Sequence, residues 1–493
     1  MMSSENSMIN FRKMQQRLQN QSLATLCKSI AISGLFLFLF YTFFFNHLNY
    51  NHSSDDFLSH FKVVTMNNLS PPKIIDNSRT NISHIVFGIA GTVNGWKFRK
   101  SYIESWWRPN VTRGYLFLDR PPTQEFLPWP ASSPPFQVNE NITGLKAFQN
   151  IQKKFQIRLF RTILETFRLV GDRDVRWFVM GDDDTVLFVD NLVEVLAKYD
   201  HTQHLYIGTN SECVSSNVYA SFGMAFGGAG YALSYPLAEA LVAKLDVCIQ
   251  RYHDLYASDL MLYSCLADLG VAALTREQGF HQIDLHHDIS GLLSAHPQVP
   301  VISLHHMDVV NPIFPSMNRY KSINHLMKAA EVDSSRLLQQ SVCYNRQSNW
   351  SISVSWGYSA HVYENIYSRN FLIKPLETFR PWRRSDRPPL YMFNTRPLTR
   401  NSCEVPHVFF FDSMENLRGN QVVLTYIRSS PRNLPPCPAT GNHSADVIDK
   451  IQVFSPATER KRVGIMECCD IEHIAYMNVT DVKLRACTED DSI

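Results

Sequence analysis

Between residues 83 and 310, short apolar runs typical of buried strands alternate with helical patterns. Such runs occupy residues 84–90, 175–180 and 204–207. An apolar run of this length, bounded by turn residues, is typical of a strand that is covered on both faces. Strands that alternate with helices build a mostly parallel sheet with helices packed against it. The sequence therefore predicts an α/β fold with a mostly parallel sheet in this part of the chain.

The strongest helical pattern covers residues 152–170. Its apolar side chains recur on one face, at Phe160, Ile163, Leu164 and Phe167. Its charged side chains fall elsewhere, at Arg158, Arg161, Glu165 and Arg168. Because a helix with one apolar stripe packs that stripe on the core, we expect the charged face to meet water.

After about residue 330 the pattern changes to short apolar runs interrupted by prolines and scattered cysteines. This pattern predicts a β-rich region over residues 340–493. The sequence does not assign a role to that region; acceptor recognition and binding of a partner protein are the two alternatives.

An uncharged apolar segment, residues 29–45, lies near the start of the chain. Its 17 residues are at the lower limit for a helix that spans a bilayer. Basic residues precede it and Asp55 and Asp56 follow it, so we expect residues 1–28 to be a cytosolic tail. A cleaved signal peptide is the alternative, but no small-residue cleavage site follows the run. The sequence therefore predicts a single-pass anchor followed by a stem over residues 46–82.

Sequons and cysteines agree with a lumenal location for the rest of the chain. Eight Asn-x-Ser/Thr sequons follow the apolar segment, beginning at Asn51, Asn68, Asn81, Asn110, Asn141, Asn349, Asn442 and Asn478. Nine of the ten cysteines also follow it, and this odd number leaves one thiol free or intermolecular when the others form disulfides. The net charge of +2 gives no general reason to bind nucleic acid.

Three consecutive aspartates, Asp182, Asp183 and Asp184, follow the apolar run at 175–180. Adjacent carboxylates repel one another and are costly to bury unless a cation compensates. Ligands bind open α/β sheets at the carboxyl ends of strands, and Mg²⁺ or Mn²⁺ prefers oxygen ligands and phosphate. A solvated acidic turn is the alternative, but apolar residues flank the triplet on both sides. The pattern favours a divalent cation that bridges Asp184, with Asp182 as a second candidate ligand, to a diphosphate.

Five motifs follow one another within residues 84–320: RWFVMGDDDTVLFVDNLVEVLAKYD, FGGAGYALS, RYHDLYASDLMLYSCLADLGV, GFHQID and SLHHMD. In order and spacing they resemble the Fringe-like β1,3-glycosyltransferases, and most of all the plant Fringe-related branch. The resemblance implies a GT-A fold over residues 83–335, in which a Rossmann-like nucleotide-sugar half joins an acceptor half. It also implies a type II Golgi membrane protein.

The same resemblance implies an inverting hexosyltransferase. Characterised members use Mn²⁺ and a UDP-sugar, and the acceptor here is expected to be a hydroxyl of a glycan or glycoprotein. Asp184 matches the main metal ligand, and Asp182 and Asp183 match residues that support the nucleotide and the metal. Asp259 matches the catalytic base; N-capping of the helix that follows it is the alternative.

A histidine completes the metal shell in such enzymes. His305 is the first candidate, with His306 and His281 behind it. The Fringe proteins have His-x-His after the phenylalanine, whereas this chain has Ile283 in place of the second histidine. This departure favours His305.

Three further residues are expected near the nucleotide-sugar. Thr92 and Arg99 follow the first predicted strand, where Arg99 either contacts phosphate or lies on a solvated helix face. Gly228 either allows close approach of the backbone to a sugar or packs tightly under a loop.

Two other functions compete with glycosyl transfer. One is a catalytically inactive GT-A-fold binding protein or chaperone of the secretory pathway. The other is a phosphoryl-transfer enzyme or hydrolase that uses the same carboxylates, but the sequence contains no P-loop motif.

Overall fold

The computed structural model describes residues 79–144, 154–170, 174–271, 273–418, 420–438, 444–457 and 466–488. These residues belong to one compact unit, which begins at Ser78. The predicted tail, the apolar segment at 29–45 and most of the predicted stem lie outside the described residues. Among the helices of the described ranges, none combines the length and the apolar character needed to cross a bilayer.

The first half of the described chain contains ten strands. They are β1 (Ile85–Ala90), β2 (Gly114–Leu118), β3 (Phe136–Val138), β4 (Trp177–Asp182), β5 (Val186–Leu187), β6 (Tyr206–Gly208), β7 (Tyr231–Ser234), β8 (Thr275–Arg276), β9 (Leu285–His287) and β10 (Ser303–Leu304). Seven of them form one sheet in the order β3-β2-β1-β4-β7-β6-β8. Strand β7 runs antiparallel to β4 and β6, while the other pairs are parallel. The sheet is therefore mixed, with one reversed strand.

Helices cover this sheet. The described helices are α1 (Val93–Glu104), α2 (Lys154–Val170), α3 (Val189–Leu196), α4 (Val214–Tyr219), α5 (Tyr235–Val242), α6 (Leu245–Tyr252), α7 (Ser258–Asp268), α8 (Ser290–Leu293), α9 (Arg319–Asp333) and α10 (Arg369–Leu372). The apolar face of α2 packs as predicted, because Phe160 and Ile163 share a core cluster with Val86 of β1 and Phe178 of β4.

Of the four charged residues of α2 that were expected to meet water, Arg168 is exposed and the other three are not. Arg158, Arg161 and Glu165 are all buried. Arg158 Nη1 donates to Asn139 Oδ1 (2.7 Å), Asn139 Nδ2 donates to Glu165 (3.1 Å), and Arg161 pairs with Glu140 (2.7 Å). The prediction is confirmed for Arg168 and wrong for the other three, because a helix face covered by polar partners has the same period as a face covered by water.

The chain after residue 340 is β-rich. Its strands are β11 (Gln340–Asn345), β12 (Trp350–Ser355), β13 (Ser359–Tyr363), β14 (Phe379–Pro381), β15 (His407–Leu417), β16 (Gln421–Arg428), β17 (Lys450–Pro456), β18 (Cys468–Ile474) and β19 (Val479–Arg485). Eight of them form a second sheet in the order β11-β12-β13-β15-β16-β17-β19-β18. Trp350 and Phe409 of this sheet share one apolar core with Val179 and Ile207 of the first. The two halves are thus packed together as one body.

Strand β14 lies outside the second sheet and pairs with a strand of the first half. It pairs antiparallel with β9, so that Phe379 lies opposite His287 and Pro381 opposite Leu285. This pairing carries the residues after Pro381 to the side of the first half that is described below as the candidate site.

Four disulfide bonds pair eight of the nine cysteines in the described chain: Cys248–Cys265, Cys343–Cys469, Cys403–Cys437 and Cys468–Cys487. The ninth, Cys213, is buried with a free thiol. The expectation that disulfides form and leave one odd cysteine is confirmed.

Candidate functional site

The three aspartates lie at the carboxyl end of β4. Asp182 is the last residue of that strand, and the turn after it leads into β5. The hydroxyl of Thr185 fixes this turn, because it accepts from the Asp182 N–H (2.9 Å) and donates to the Gly228 carbonyl (2.8 Å). The Asp183 N–H donates to the carbonyl of Ala90 at the end of the neighbouring parallel strand β1 (2.9 Å). The triplet therefore occupies the edge where parallel strands end, as predicted.

Asp182, Asp184 and His305 form a compact group of oxygen and nitrogen ligands. Strand β10 pairs antiparallel with β5, which places His305 beside the turn that holds the aspartates. His305 Nε2 lies 3.2 Å from Asp184 Oδ1 and 3.9 Å from Asp182 Oδ2. Ligand atoms from the three residues all lie within 4.8 Å of one another. Such a donor set suits Mn²⁺ or Mg²⁺.

The orientation of His305 directs Nε2 toward the carboxylates of Asp182 and Asp184. Its Nδ1 lies 3.3 Å from the Gln282 carbonyl, so a proton on Nδ1 donates there. The side-chain Oε1 of Gln282 in turn accepts from the Ala229 N–H (2.8 Å). The residues that hold His305 thus also hold the glycine-rich segment opposite it.

The carboxylate of Asp184 gives a direct test of whether a cation fits. Asp184 is 0% exposed, and the described groups that approach its oxygens are charged side chains and not backbone N–H groups. The cations that face it are His305 and Arg99, whose Nη2 lies 3.1 Å from Asp184 Oδ2. Several carboxylates buried together are costly unless positive charge compensates them, and a divalent cation bound beside Asp184 and Asp182 supplies such charge. The residues present therefore fit such an ion.

The pKa values in this group diverge. Burial and the charges of Asp184 and Asp259 raise the pKa of Asp182 to about 7, although His305 opposes the rise. Burial also raises the pKa of Asp184, but His305 and Arg99 outweigh burial and hold it well below its usual range. Burial lowers the pKa of His305, yet the Asp184 carboxylate raises it to about 9. Carboxylates outnumber cations here, which is the condition under which a divalent cation is attracted.

Arg99 of α1 contacts two aspartates of the triplet, Asp183 and Asp184. Its Nη1 donates to Asp183 Oδ1 (2.9 Å), and its Nη2 lies 3.1 Å from Asp184 Oδ2 and donates to Asp308 Oδ2 (2.8 Å). A solvated helix face, one of the two sequence-based expectations for Arg99, is therefore wrong, since the guanidinium is engaged with three carboxylates. Its contact with a phosphate stays a prediction.

Thr92 lies between β1 and α1, as the sequence indicates. Its hydroxyl accepts from the Gly95 N–H (2.9 Å) and so caps α1, while its own N–H lies 3.4 Å from Asp183 Oδ2. Asp119 accepts from the Val93 N–H (2.8 Å) beside it. The Thr92 side chain is thus committed to the helix cap, and nucleotide binding by Thr92 stays a prediction.

Gly227 and Gly228 separate Asp259 from His305. A Cβ atom on Gly228 would lie 2.1 Å from Cε1 of His305, and one on Gly227 would lie 2.5 Å from Oδ1 of Asp259. Real Cβ atoms do not approach so closely, so only glycine fits at either position. Tight packing, one of the two predictions for Gly228, is therefore observed.

Gly228→Ala is expected to weaken Mn²⁺ binding about 10-fold to 100-fold, because the new methyl group displaces the His305 ring. Mn²⁺ titration followed by electron paramagnetic resonance measures this. Gly144→Ala is the matched control, since a Cβ there meets nothing within 4 Å. Unchanged Mn²⁺ affinity in the Gly228 variant would remove His305 from the site.

Asp259 lies in the first turn of α7, which begins at Ser258. The N-cap residue is Ala257, so the capping alternative for Asp259 is wrong. Its Oδ2 instead accepts from the Gly227 N–H (3.0 Å), and its Oδ1 accepts from the Ser258 hydroxyl (3.3 Å). Asp259 and Asp182 line the same small cleft, of about 30 Å³. Burial raises the pKa of Asp259, which suits a general base.

The other two candidate histidines, His306 and His281, contact groups outside the aspartate triplet. His306 Nδ1 lies 3.3 Å from the Ile283 carbonyl. His281 Nδ1 lies 3.2 Å from Glu212, and its Nε2 lies 2.8 Å from His296. Of the three described histidines considered from the sequence, His305 is the one that lies within 4 Å of Asp182 and Asp184.

Sequence reasoning did not single out Asp308, Arg158 or Trp382. Asp308 shares Arg99 with the triplet, and its position at the end of SLHHMD was the available signal. Arg158 reaches under the site from α2 and donates to the Gly91 carbonyl (2.8 Å). Trp382 arrives from the second half of the chain, for which no sequence signal existed.

A protein-family model described as "Protein of unknown function, DUF604" matches residues 216–469, just over half of the chain. The chain belongs to the DUF604 family. The DUF604 match contains Asp259, His305 and Trp382, whereas the aspartate triplet lies before it.

Part of this DUF604 protein is also similar to a curated enzyme. The glycoprotein-N-acetylgalactosamine 3-beta-galactosyltransferase 1 of Xenopus laevis is 29% identical over 127 residues, which are 24% of this chain and 32% of that protein. The chain thus spans about a third of the length of that relative.

Three solved structures share a distant similarity. One is a glycosyltransferase involved in glycosylation of the major capsid of PBCV-1, which is 10% identical over 50% of this chain and 98% of that chain, with a TM-score of 0.26. The second is core-mannan synthase A from Aspergillus fumigatus in a Mn/GDP form, which is 8% identical over 40% of this chain and 73% of that chain, with a TM-score of 0.26. The third is an active-site mutant of LgtC, which is 12% identical over 48% of this chain and 94% of that chain, with a TM-score of 0.30. Because these TM-scores are low, the fold is assigned from the strand order of this chain and not from the three structures.

Proposed function

We propose that this DUF604 protein is a metal-dependent, inverting glycosyltransferase that moves a sugar from a UDP-sugar to a hydroxyl of a glycan or glycoprotein. The observation that carries the proposal is the group Asp182, Asp184 and His305 at the end of β4, with Asp259 on the same cleft as Asp182. The similarity of one segment to a 3-beta-galactosyltransferase supports it. The GT-A arrangement, the Fringe-related branch and the β1,3 linkage belong to the proposal.

In this mechanism Asp182, Asp184 and His305 would hold Mn²⁺ or Mg²⁺, while Arg99 fixes the positions of Asp183 and Asp184. The ion, when bound, offsets the charge that develops on the departing diphosphate. The acceptor hydroxyl attacks C1 of the donor sugar from the face opposite the diphosphate, and Asp259 takes its proton. The bond from C1 to the diphosphate breaks, UDP leaves, and the anomeric centre is inverted.

The proposed location is the Golgi membrane, with residues 29–45 as the anchor and the catalytic part in the lumen. Four disulfide bonds in the described chain support an oxidising compartment. Four of the predicted sequon asparagines are exposed and accessible to a glycan: Asn81, Asn110, Asn141 and Asn478.

A donor screen tests the proposed function. The full chain is incubated with Mn²⁺, one UDP-sugar at a time and a mixed glycan pool, and released UDP is measured with and without the pool. We expect one UDP-sugar to be consumed only when the pool is present, and EDTA to stop the reaction. Equally fast UDP release without acceptor would favour a hydrolase, and absence of UDP binding would favour an inactive binding protein.

A further inference from the structure

A segment of the second half, residues 382–391, crosses beside the candidate site and is called the strap. At its start the Trp382 N–H donates to the Asp284 carbonyl (2.9 Å). At its end the Val214 N–H donates to the Leu390 carbonyl (3.0 Å). Both ends of the strap are therefore tied by backbone hydrogen bonds to the half of the chain that carries the site.

The first residue of the strap lies beside the proposed metal site. The Trp382 ring packs parallel to the His306 ring, with centroids 4.5 Å apart, and parallel to the His286 ring at 4.6 Å. The His306 ring lies 4.0 Å from the ring of His305. One aromatic ring thus separates Trp382 from the histidine that faces Asp182 and Asp184.

The next residue lies on the side of the proposed base. The Arg383 guanidinium lies over the Tyr219 ring, 3.7 Å from its centroid, and the Tyr219 ring lies 4.7 Å from the Tyr256 ring. Tyr256 precedes Asp259 by three residues. Trp382 and Arg383, adjacent in the chain, therefore connect the metal side of the site with the base side.

This side of the site is both aromatic and cationic. Tyr219 is 53% exposed and Tyr256 is 41% exposed, and Phe222, three residues after Tyr219, is also exposed. Residues 382–387 contain three arginines and one aspartate, a net charge of +2. Those arginines are exposed, and within the described chain none forms an ion pair with a carboxylate.

We infer that the strap and the neighbouring aromatic residues bind the acceptor, and that they select a glycan that carries carboxylate or sulfate groups. Exposed aromatic rings stack on the apolar faces of pyranose rings, while unpaired guanidinium groups bind carboxylate or sulfate oxygens in a bidentate manner. A neutral glycan would leave the arginines without an anionic partner, and an acidic peptide would not use the exposed aromatic rings. The inference rests on the proposed function, since it names the acceptor class for the same site.

The test compares the binding of four probes to the full chain by calorimetry: a neutral galactan oligosaccharide, its glucuronic-acid-substituted form, its sulfated form and a polyglutamate peptide. We expect at least one acidic oligosaccharide to bind about tenfold more tightly than the neutral one, and the difference to shrink as salt is raised. Whichever anion is preferred identifies the source of the charge.

Arg383→Glu is expected to abolish the preference for the acidic oligosaccharide, and Arg383→Lys to retain part of it because the charge remains. Arg418→Glu is the matched control, since Arg418 is an exposed arginine in the connection between β15 and β16. Equal binding of the neutral and acidic oligosaccharides by the unmodified protein would overturn the inference. Tighter binding of polyglutamate than of any glycan would overturn it in favour of an acidic peptide.

Mn²⁺-dependent UDP binding, measured on the same samples, separates this inference from the proposed function. We expect UDP binding to be unchanged in Arg383→Glu. If the unmodified protein binds UDP but shows no preference among the oligosaccharides, the acceptor inference fails and the proposed function stands. If it does not bind UDP, the proposed function fails, and a glycan preference then describes a carbohydrate-binding surface instead.

Discussion

Asp184→Asn is expected to lower the affinity for UDP in the presence of Mn²⁺ by at least about 100-fold, because loss of a direct ligand costs more than the 10-fold to 100-fold loss of a supporting residue. The substitution replaces a charged oxygen ligand by a neutral amide at a position where both carboxylate oxygens are buried. His305 and Arg99 also lose the charge that they face. Calorimetry with UDP, with and without Mn²⁺, measures the effect.

The variant is expected to stay folded. Arg99 keeps its contacts with Asp183 and Asp308, and Thr185 still holds the turn. Near-UV circular dichroism checks this directly. Asp190→Asn is the matched control, since Asp190 is an exposed carboxylate of α3 that pairs with Arg108. If UDP binding in Asp184→Asn equals that of the control, the metal site has been misplaced.

The position of the aspartate triplet could be predicted because the relevant signal is local. An apolar run followed by Asp182, Asp183 and Asp184 indicates both the strand and the position of its carboxyl end. The choice of His305 over His281 rested on one departure from the family motif, and the pairing of β10 with β5 gives its physical basis. Neither argument required knowledge of distant contacts.

The surroundings of the triplet could not be predicted, because they depend on contacts between residues far apart in the chain. Arg99 meets Asp308, which lies 209 residues later. Arg158 and Glu165 were expected in water because periodicity distinguishes polar from apolar faces but not water from polar protein. The reversal of β7 and the core shared by both sheets are likewise set by tertiary packing.

The strap is the clearest example of this limit. Prolines and arginines after residue 375 indicate irregular structure, and nothing in them indicates a partner. Only the pairing of β14 with β9 brings Trp382 to His306. A region whose role the sequence left open thus contributes side chains to the rim of the candidate site.

Asp259→Asn is expected to retain binding of UDP with Mn²⁺ and to lose transfer by about 100-fold to 10,000-fold, the usual contribution of a general base. The amide oxygen of asparagine still accepts the Gly227 N–H, so the glycine segment keeps its position. Asparagine, however, has no basic oxygen to take the proton of the acceptor hydroxyl. Initial rates at saturating donor, together with the dissociation constant of UDP, separate the two effects.

The pH dependence of transfer by the unmodified protein, compared with the pH dependence of UDP binding, which follows Asp182 at the metal site, gives a further check on Asp259. Burial raises the pKa of this carboxyl, and only its deprotonated form is a base, so the rate should fall with decreasing pH at a higher pH than an ordinary aspartate would give. Asp268→Asn, at the other end of α7, is the control and should keep the normal rate, since Asp268 is bonded to Arg251 and Tyr252. Normal turnover in Asp259→Asn would exclude Asp259 as the base, because this substitution removes the basicity of the side chain while its amide oxygen still accepts from the Gly227 N–H.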